Sequence, residues 1–176
     1  MSTTSALRAE AVARVVVIGA GNTLLSDDGF GAAVLDALRE SWDLPPEVEL
    51  VDGGTWGMNL LPAIEDADAL VIVDAIDVGR APGSPITLER DSIPRLLGVK
   101  LSPHQIDLRE TLAVAELRGR LPARAVAIGV QPQSLATRIG LSPVVQARVR
   151  PTAALVATRI ARWGFPCRPA AAACTS

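Results

Sequence analysis

Three short uninterrupted apolar runs, Val15-Val16-Val17-Ile18, Ala69-Leu70-Val71-Ile72-Val73 and Ala125-Val126-Ala127-Ile128-Gly129-Val130, constrain this chain more than any other feature. They are rich in β-branched residues, too short for helices and do not alternate with polar residues, as expected of strands buried on both faces of a parallel sheet. Two weaker segments join them. Val48-Glu49-Leu50-Val51 follows the Pro45-Pro46 break, and Ile86-Thr87-Leu88, reached through Pro82-Gly83-Ser84-Pro85, suits an edge strand. Helical spacing links Phe30, Val34, Leu35 and Leu38 in a helix closing near Trp42, and Leu60 to Ile64 suggests a short one. Leu108, Leu112, Val114, Ala115 and Leu117 describe another, and a last helix starts after Ser142, with Pro143 at its first position, and runs to about Trp163.

Strands alternating with helices, joined by right-handed crossovers, predict a three-layer, doubly wound α/β fold: a mostly parallel sheet of about five strands with helices on both faces. With 176 residues and 49% hydrophobic composition the chain fits one compact domain. Residues 13–165 form that domain, between extensions 1–12 and 166–176 that read as weakly ordered. A formal charge of -2 with scattered arginines argues against nucleic acid or an anionic membrane as principal partner. No apolar run approaches a membrane span and no secretory core precedes Arg14, so a cytoplasmic protein is expected. Cys167 and Cys174 form no CxxC and have no nearby histidine, which suggests neither zinc nor a redox dithiol.

Doubly wound sheets bind ligands at the C-terminal ends of their strands. Asn22, Asp27, Asp28, Asp52, Gly53, Gly54 and Asp74 fall at or just past such ends, so they are expected on one rim. Asp74 ends an apolar run and needs a partner such as a metal, a histidine or an arginine. His104, the only histidine, lies in the polar segment Ser102-Pro103-His104-Gln105, read as a loop. One imidazole and two carboxylates make a metal-binding set, although a lone histidine is more often structural. Asp27 is explained by favourable placement at a helix N-terminus. Asp52 caps its turn, and Gly53-Gly54 either supply positive φ or admit a peptide backbone closely; the residues alone leave both uses open.

Several chemistries fail. Gly19-Ala20-Gly21 follows a strand, but Leu24 stands where a dinucleotide fingerprint needs its third glycine, and no GKS or GKT completes a P-loop. A GxSxG elbow is also missing.

The ordered set of segments, from Gly19-Ala20-Gly21-Asn22-Thr23-Leu24-Leu25-Ser26-Asp27-Asp28-Gly29-Phe30-Gly31 through Asp52-Gly53-Gly54-Thr55-Trp56-Gly57 and Asp74-Ala75 to Ser102-Pro103-His104-Gln105, resembles the nickel-iron hydrogenase maturation endopeptidase family. The likeness runs over residues 14–163 and includes Gly129-Val130-Gln131-Pro132 and Gly140-Leu141-Ser142-Pro143. It implies a protease that removes a C-terminal extension from a [NiFe] hydrogenase large-subunit precursor after nickel insertion. By this resemblance Asp28, Asp74 and His104 are the metal ligands and catalytic residues, and Asn22, Asp52, Gly53, Gly54 and Thr55 hold substrate. Nickel, the implied metal, arrives with the precursor. Two other classes compete: a non-cutting chaperone of metal-loaded precursor, and a small-molecule or nucleotide-binding α/β enzyme.

Overall fold

The computed structural model describes residues 13–54, 57–93 and 103–171. β1 (Val15–Ala20) leads through a 3-10 turn (Ser26–Gly29) into α1 (Phe30–Ser41), followed by β2 (Trp42–Asp43) and β3 (Val48–Gly54). A second 3-10 turn (Gly57–Leu60), α2 (Leu61–Glu65), β4 (Ala69–Ala75) and β5 (Pro85–Glu89) come next. After a third 3-10 turn (Arg90–Ser92), the described chain continues with α3 (Pro103–Leu117), β6 (Arg124–Val130), α4 (Pro143–Gln146), α5 (Val149–Arg162) and β7 (Arg168–Pro169).

The main sheet has the order β3-β1-β4-β6-β5, parallel except for β5, which runs antiparallel to β6 at the edge. This is the predicted three-layer α/β architecture. Side chains alternate across it with period two. Val15, Val17, Val71 and Val73 face α1 and α5, where Phe30, Leu35, Leu38, Val156 and Ile160 pack on them. Val16, Ile18, Leu70 and Ile72 face α2 and α3, against Leu60, Ile64, Leu108 and Leu112. Two cores, one per face, explain why β1 from Val15 to Ile18 and β4 from Ala69 to Val73 are apolar at every position.

The final helix differs from expectation. It does start at Pro143 and close at Trp163, but α4 and α5 are separate helices. Pro151, in the first turn of α5, has no N–H to donate to the Ala147 carbonyl, and its ring crowds that carbonyl, so the junction is rebuilt. Arg148 N–H bonds to Val145 O there, a tighter 3-10 contact. Part of the C-terminal extension is also paired: Arg168–Pro169 lies antiparallel to Trp42–Asp43.

The chain passes from β1 outward to β3, then returns across β1 to β4. The strand order therefore reverses between β1 and β4, which opens a crevice at their C-terminal ends. Loops leaving those two ends carry Asp28 and follow Asp74.

Candidate functional site

Asp28 sits in the 3-10 turn that follows β1 and is completely buried. Its Oδ2 accepts the Asn22 N–H at 2.8 Å. Its Oδ1 is buried with no hydrogen-bond partner among the described residues. The tight return from β1 to this turn depends on Gly21, whose φ is +113°. A Cβ there would stand 1.8 Å from the Asp28 carbonyl oxygen, so only glycine lets the two segments touch.

Asp74 is the sixth residue of β4, wholly buried and in register with Gly129 of β6. It shares the register parity of Leu70 and Ile72, which puts it on the sheet face covered by α2 and α3. The 3-10 turn bearing Asp28 packs against β4 as well. The two acids thus flank the crevice from its two sides.

His104 does not lie in a loop. Pro103 opens α3, and His104 belongs to its first turn. Pro fits that position because its missing N–H would have had no helical acceptor. α3 runs antiparallel to β6, which follows it closely, so its N-terminus lies at the C-terminal rim of the sheet. Thr111, seven residues on, donates its hydroxyl to Met58 Sδ at 3.5 Å, just past the end of β3. The helix rises by about 10 Å from Thr111 back to His104, which carries the backbone of His104 to the rim. The His104 side chain lies outside the described residues, and among the described residues no three His, Cys, Asp or Glu side chains form a metal-binding group.

The remaining expected residues divide. Asn22 Oδ1 accepts the Leu24 N–H at 2.9 Å and shapes its own turn. Asp52 is exposed and accepts the Gly54 N–H at 3.1 Å, the turn-capping role. Gly54 uses a positive φ of 39°. At Gly53 the close approach is made by the protein itself, since a Cβ would meet Ile18 Cγ2 at 2.7 Å. Thr55 lies outside the described residues.

Asp27 has another job than helix capping. Neither its 3-10 turn nor α1 has a side-chain cap hydrogen bond. Instead its carboxylate reaches across the rim to Gln133, Ser134 and Ser142. Burial, the largest single influence, pushes its pKa up, but backbone N–H bonds from Ser142, Ser134 and Gln133 and the Ser142 hydroxyl together hold it below the ordinary value. Gln131 is a residue for which the sequence suggests no role. Its Oε1 accepts Val78 N–H at 2.9 Å and Arg80 N–H at 3.0 Å, while Nε2 donates to Asp77 Oδ1 at 2.8 Å, fixing the loop beyond Asp74. A polar residue just after a buried strand was the available signal.

The profile of the HycI hydrogenase maturation protease family matches residues 32–159. The hydrogenase 2 maturation protease of Escherichia coli K12 is 38% identical over 157 residues, spanning 89% of this chain and 96% of its own length. A hydrogenase expression/formation protein, HupD of Rhodobacter capsulatus, is 39% identical over 154 residues, 86% of this chain and 73% of that one. Among solved structures, the hydrogenase maturating endopeptidase HybD from E. coli has a TM-score of 0.85 at 37% identity, covering 89% of this chain and 98% of that one. The doubly wound fold is accordingly that of a peptidase class. This chain belongs to the hydrogenase maturation protease family, and it is an endopeptidase. The chaperone and nucleotide-enzyme alternatives give way to that assignment. Among the described residues no helix is long and apolar enough to cross a membrane.

Proposed function

We propose that this endopeptidase removes the C-terminal extension of a [NiFe] hydrogenase large-subunit precursor, in the cytoplasm, after the precursor has received its nickel. Asp28, Asp74 and His104 engage the nickel that the precursor carries on its own thiolates, and the metal brings the scissile peptide to the rim. The observation that carries this reading is the buried Asp28 Oδ1, which has no hydrogen-bond partner among the described residues. A buried carboxylate oxygen without a donor is costly, and a cation bound there would offset that cost.

The donor chemistry agrees. Two carboxylates and an imidazole suit nickel among several divalent ions, so selectivity for nickel comes from the precursor that delivers it. Asn22 N–H holds one Asp28 oxygen and thereby orients the other. Both acids are wholly buried, so engagement of the precursor's metal includes an opening of the rim above them. Asn22, Asp52, Gly53, Gly54 and Thr55 are the residues against which the substrate is held.

The test mixes purified protein with nickel-containing and nickel-free precursor and records the C-terminal mass. Truncation of the nickel-loaded precursor alone is expected. Equal truncation of both, or of neither, rejects the nickel-gated reading.

A further inference from the structure

We propose that Asp27 is a positioning residue of this protease, clasping the 133–142 segment so that the neighbouring Asp28 is aimed into the crevice. The inference rests on the functional reading above. Asp27 is fully buried. Its Oδ2 accepts the N–H groups of Gln133 at 2.8 Å and Ser134 at 3.0 Å and the Ser142 hydroxyl at 2.9 Å. Its Oδ1 accepts the Ser142 N–H at 2.6 Å. Only an ionised carboxylate accepts at both oxygens in this way. An asparagine would turn its NH2 toward either Ser142 N–H or the other three donors.

A second observation points the same way. Ser26, immediately before Asp27, has φ 48°, a left-handed conformation that a non-glycine residue rarely adopts. The same distant segment holds it there: Ser26 N–H donates to Arg138 O at 2.7 Å, and Ser26 Oγ to Gly140 O at 3.3 Å. Arg138 N–H returns a bond to Leu24 O, and Asp27 N–H donates to Ser134 O. The turn that presents Asp28 is thus strained and tethered along one side. Strained backbone that persists beside a reactive group is held by its surroundings, and loosening them lets the turn relax. Relaxation would rotate Asp28, whose Oδ2 is held through Asn22 N–H within the same turn region. A misplacement of about 1 Å at such a group can cost about a hundredfold in rate.

The experiment compares wild type, Asp27→Asn, Ser142→Ala and Ser142→Thr in steady-state cleavage of nickel-loaded precursor, with thermal unfolding of each. Ser142→Ala removes one of the four clasping bonds and keeps the backbone N–H. It is expected to lower kcat about tenfold with KM within about twofold, and Ser142→Thr, which keeps the hydroxyl, to restore kcat. Asp27→Asn should lose about a hundredfold in kcat. If Asp27→Asn does not fold, the Ser142 pair decides. A folded Ser142→Ala enzyme with wild-type kcat, or one whose only change is a raised KM, overturns the positioning role while leaving the function intact. A wild type that cuts no precursor sinks both.

Discussion

The backbone N–H of Asn22 donates to Oδ2 of Asp28 at 2.8 Å, while Asp28 Oδ1 is buried with no hydrogen-bond partner among the described residues. One oxygen is fixed and the other is left without a donor. Asp28→Asn keeps a carbonyl oxygen for the Asn22 N–H and removes a buried charge. Its stability should stay within about 1–3 kcal/mol of wild type, because the buried charge is removed while an NH2 takes the place of the oxygen that has no partner among the described residues. Cleavage of nickel-loaded precursor should fall at least about a hundredfold, since an amide is a far poorer metal ligand than a carboxylate. Denaturant unfolding and C-terminal mass measurement check the pair of outcomes; wild-type cleavage by the folded variant removes Asp28 from the site.

Gly21→Ala tests whether the turn between Gly21 and Asp28 is as tight as it looks. The added methyl would stand 1.8 Å from the Asp28 carbonyl oxygen, at a φ of +113° that alanine disfavours. The expected loss is about 2–4 kcal/mol, the range for overpacking combined with backbone strain. Activity should fall further than stability does, because the displaced atom belongs to Asp28. A variant unfolding at the wild-type urea concentration contradicts the geometry.

What the sequence made legible follows from where its forces are local. The buried strands show in Val15–Ile18, Ala69–Val73 and Ala125–Val130 because burial on both faces leaves no polar position. The clasp made by Asp27 is not legible in the sequence because its donors lie more than a hundred residues away, on Gln133, Ser134 and Ser142. The nearer explanation, placement at a helix N-terminus, holds for its position, but no side-chain cap hydrogen bond accompanies it. The placement of His104 in a helix is legible in the sequence. Ser102-Pro103 repeats the Ser-Pro order that correctly marked the helix at Ser142-Pro143, and Pro103 does open α3. The β2–β7 pair is two residues per strand, too short for any periodicity to register.

The Asp27 clasp also predicts how acid acts on the fold. Its pKa is held below the ordinary carboxylate value in the folded protein, so its ionised form stabilises the fold above the unfolded pKa. That contribution is lost as pH falls from about 4 through the lower folded value. Asp27→Asn lacks the term at every pH. The stability gap between wild type and Asp27→Asn should be largest near neutrality and shrink below about pH 4. Unfolding free energies of both proteins across that range check this, and a gap independent of pH contradicts the charge-based clasp.

Gln131 gives a test on the other side of the crevice. It is nearly buried and makes three side-chain bonds to the loop that leaves β4 just after Asp74. Gln131→Leu takes the acceptor from the half-buried Val78 N–H and the exposed Arg80 N–H, which water can partly replace, and should cost about 1 kcal/mol, the net worth of such hydrogen bonds. Gln131→Glu separates charge from shape. It keeps an acceptor for both N–H groups but replaces the donor to Asp77 Oδ1 with a second carboxylate. Two acids at that separation repel when both are ionised, so the Glu variant should be markedly less stable than wild type at pH 7 and should recover part of the loss near pH 4.5, as one of them takes a proton. Cleavage should follow the same pattern, because the loop holds the end of β4 that carries Asp74. Thermal unfolding at the two pH values decides it: a Glu variant as stable as wild type at neutrality would mean that this loop is anchored by something other than Gln131.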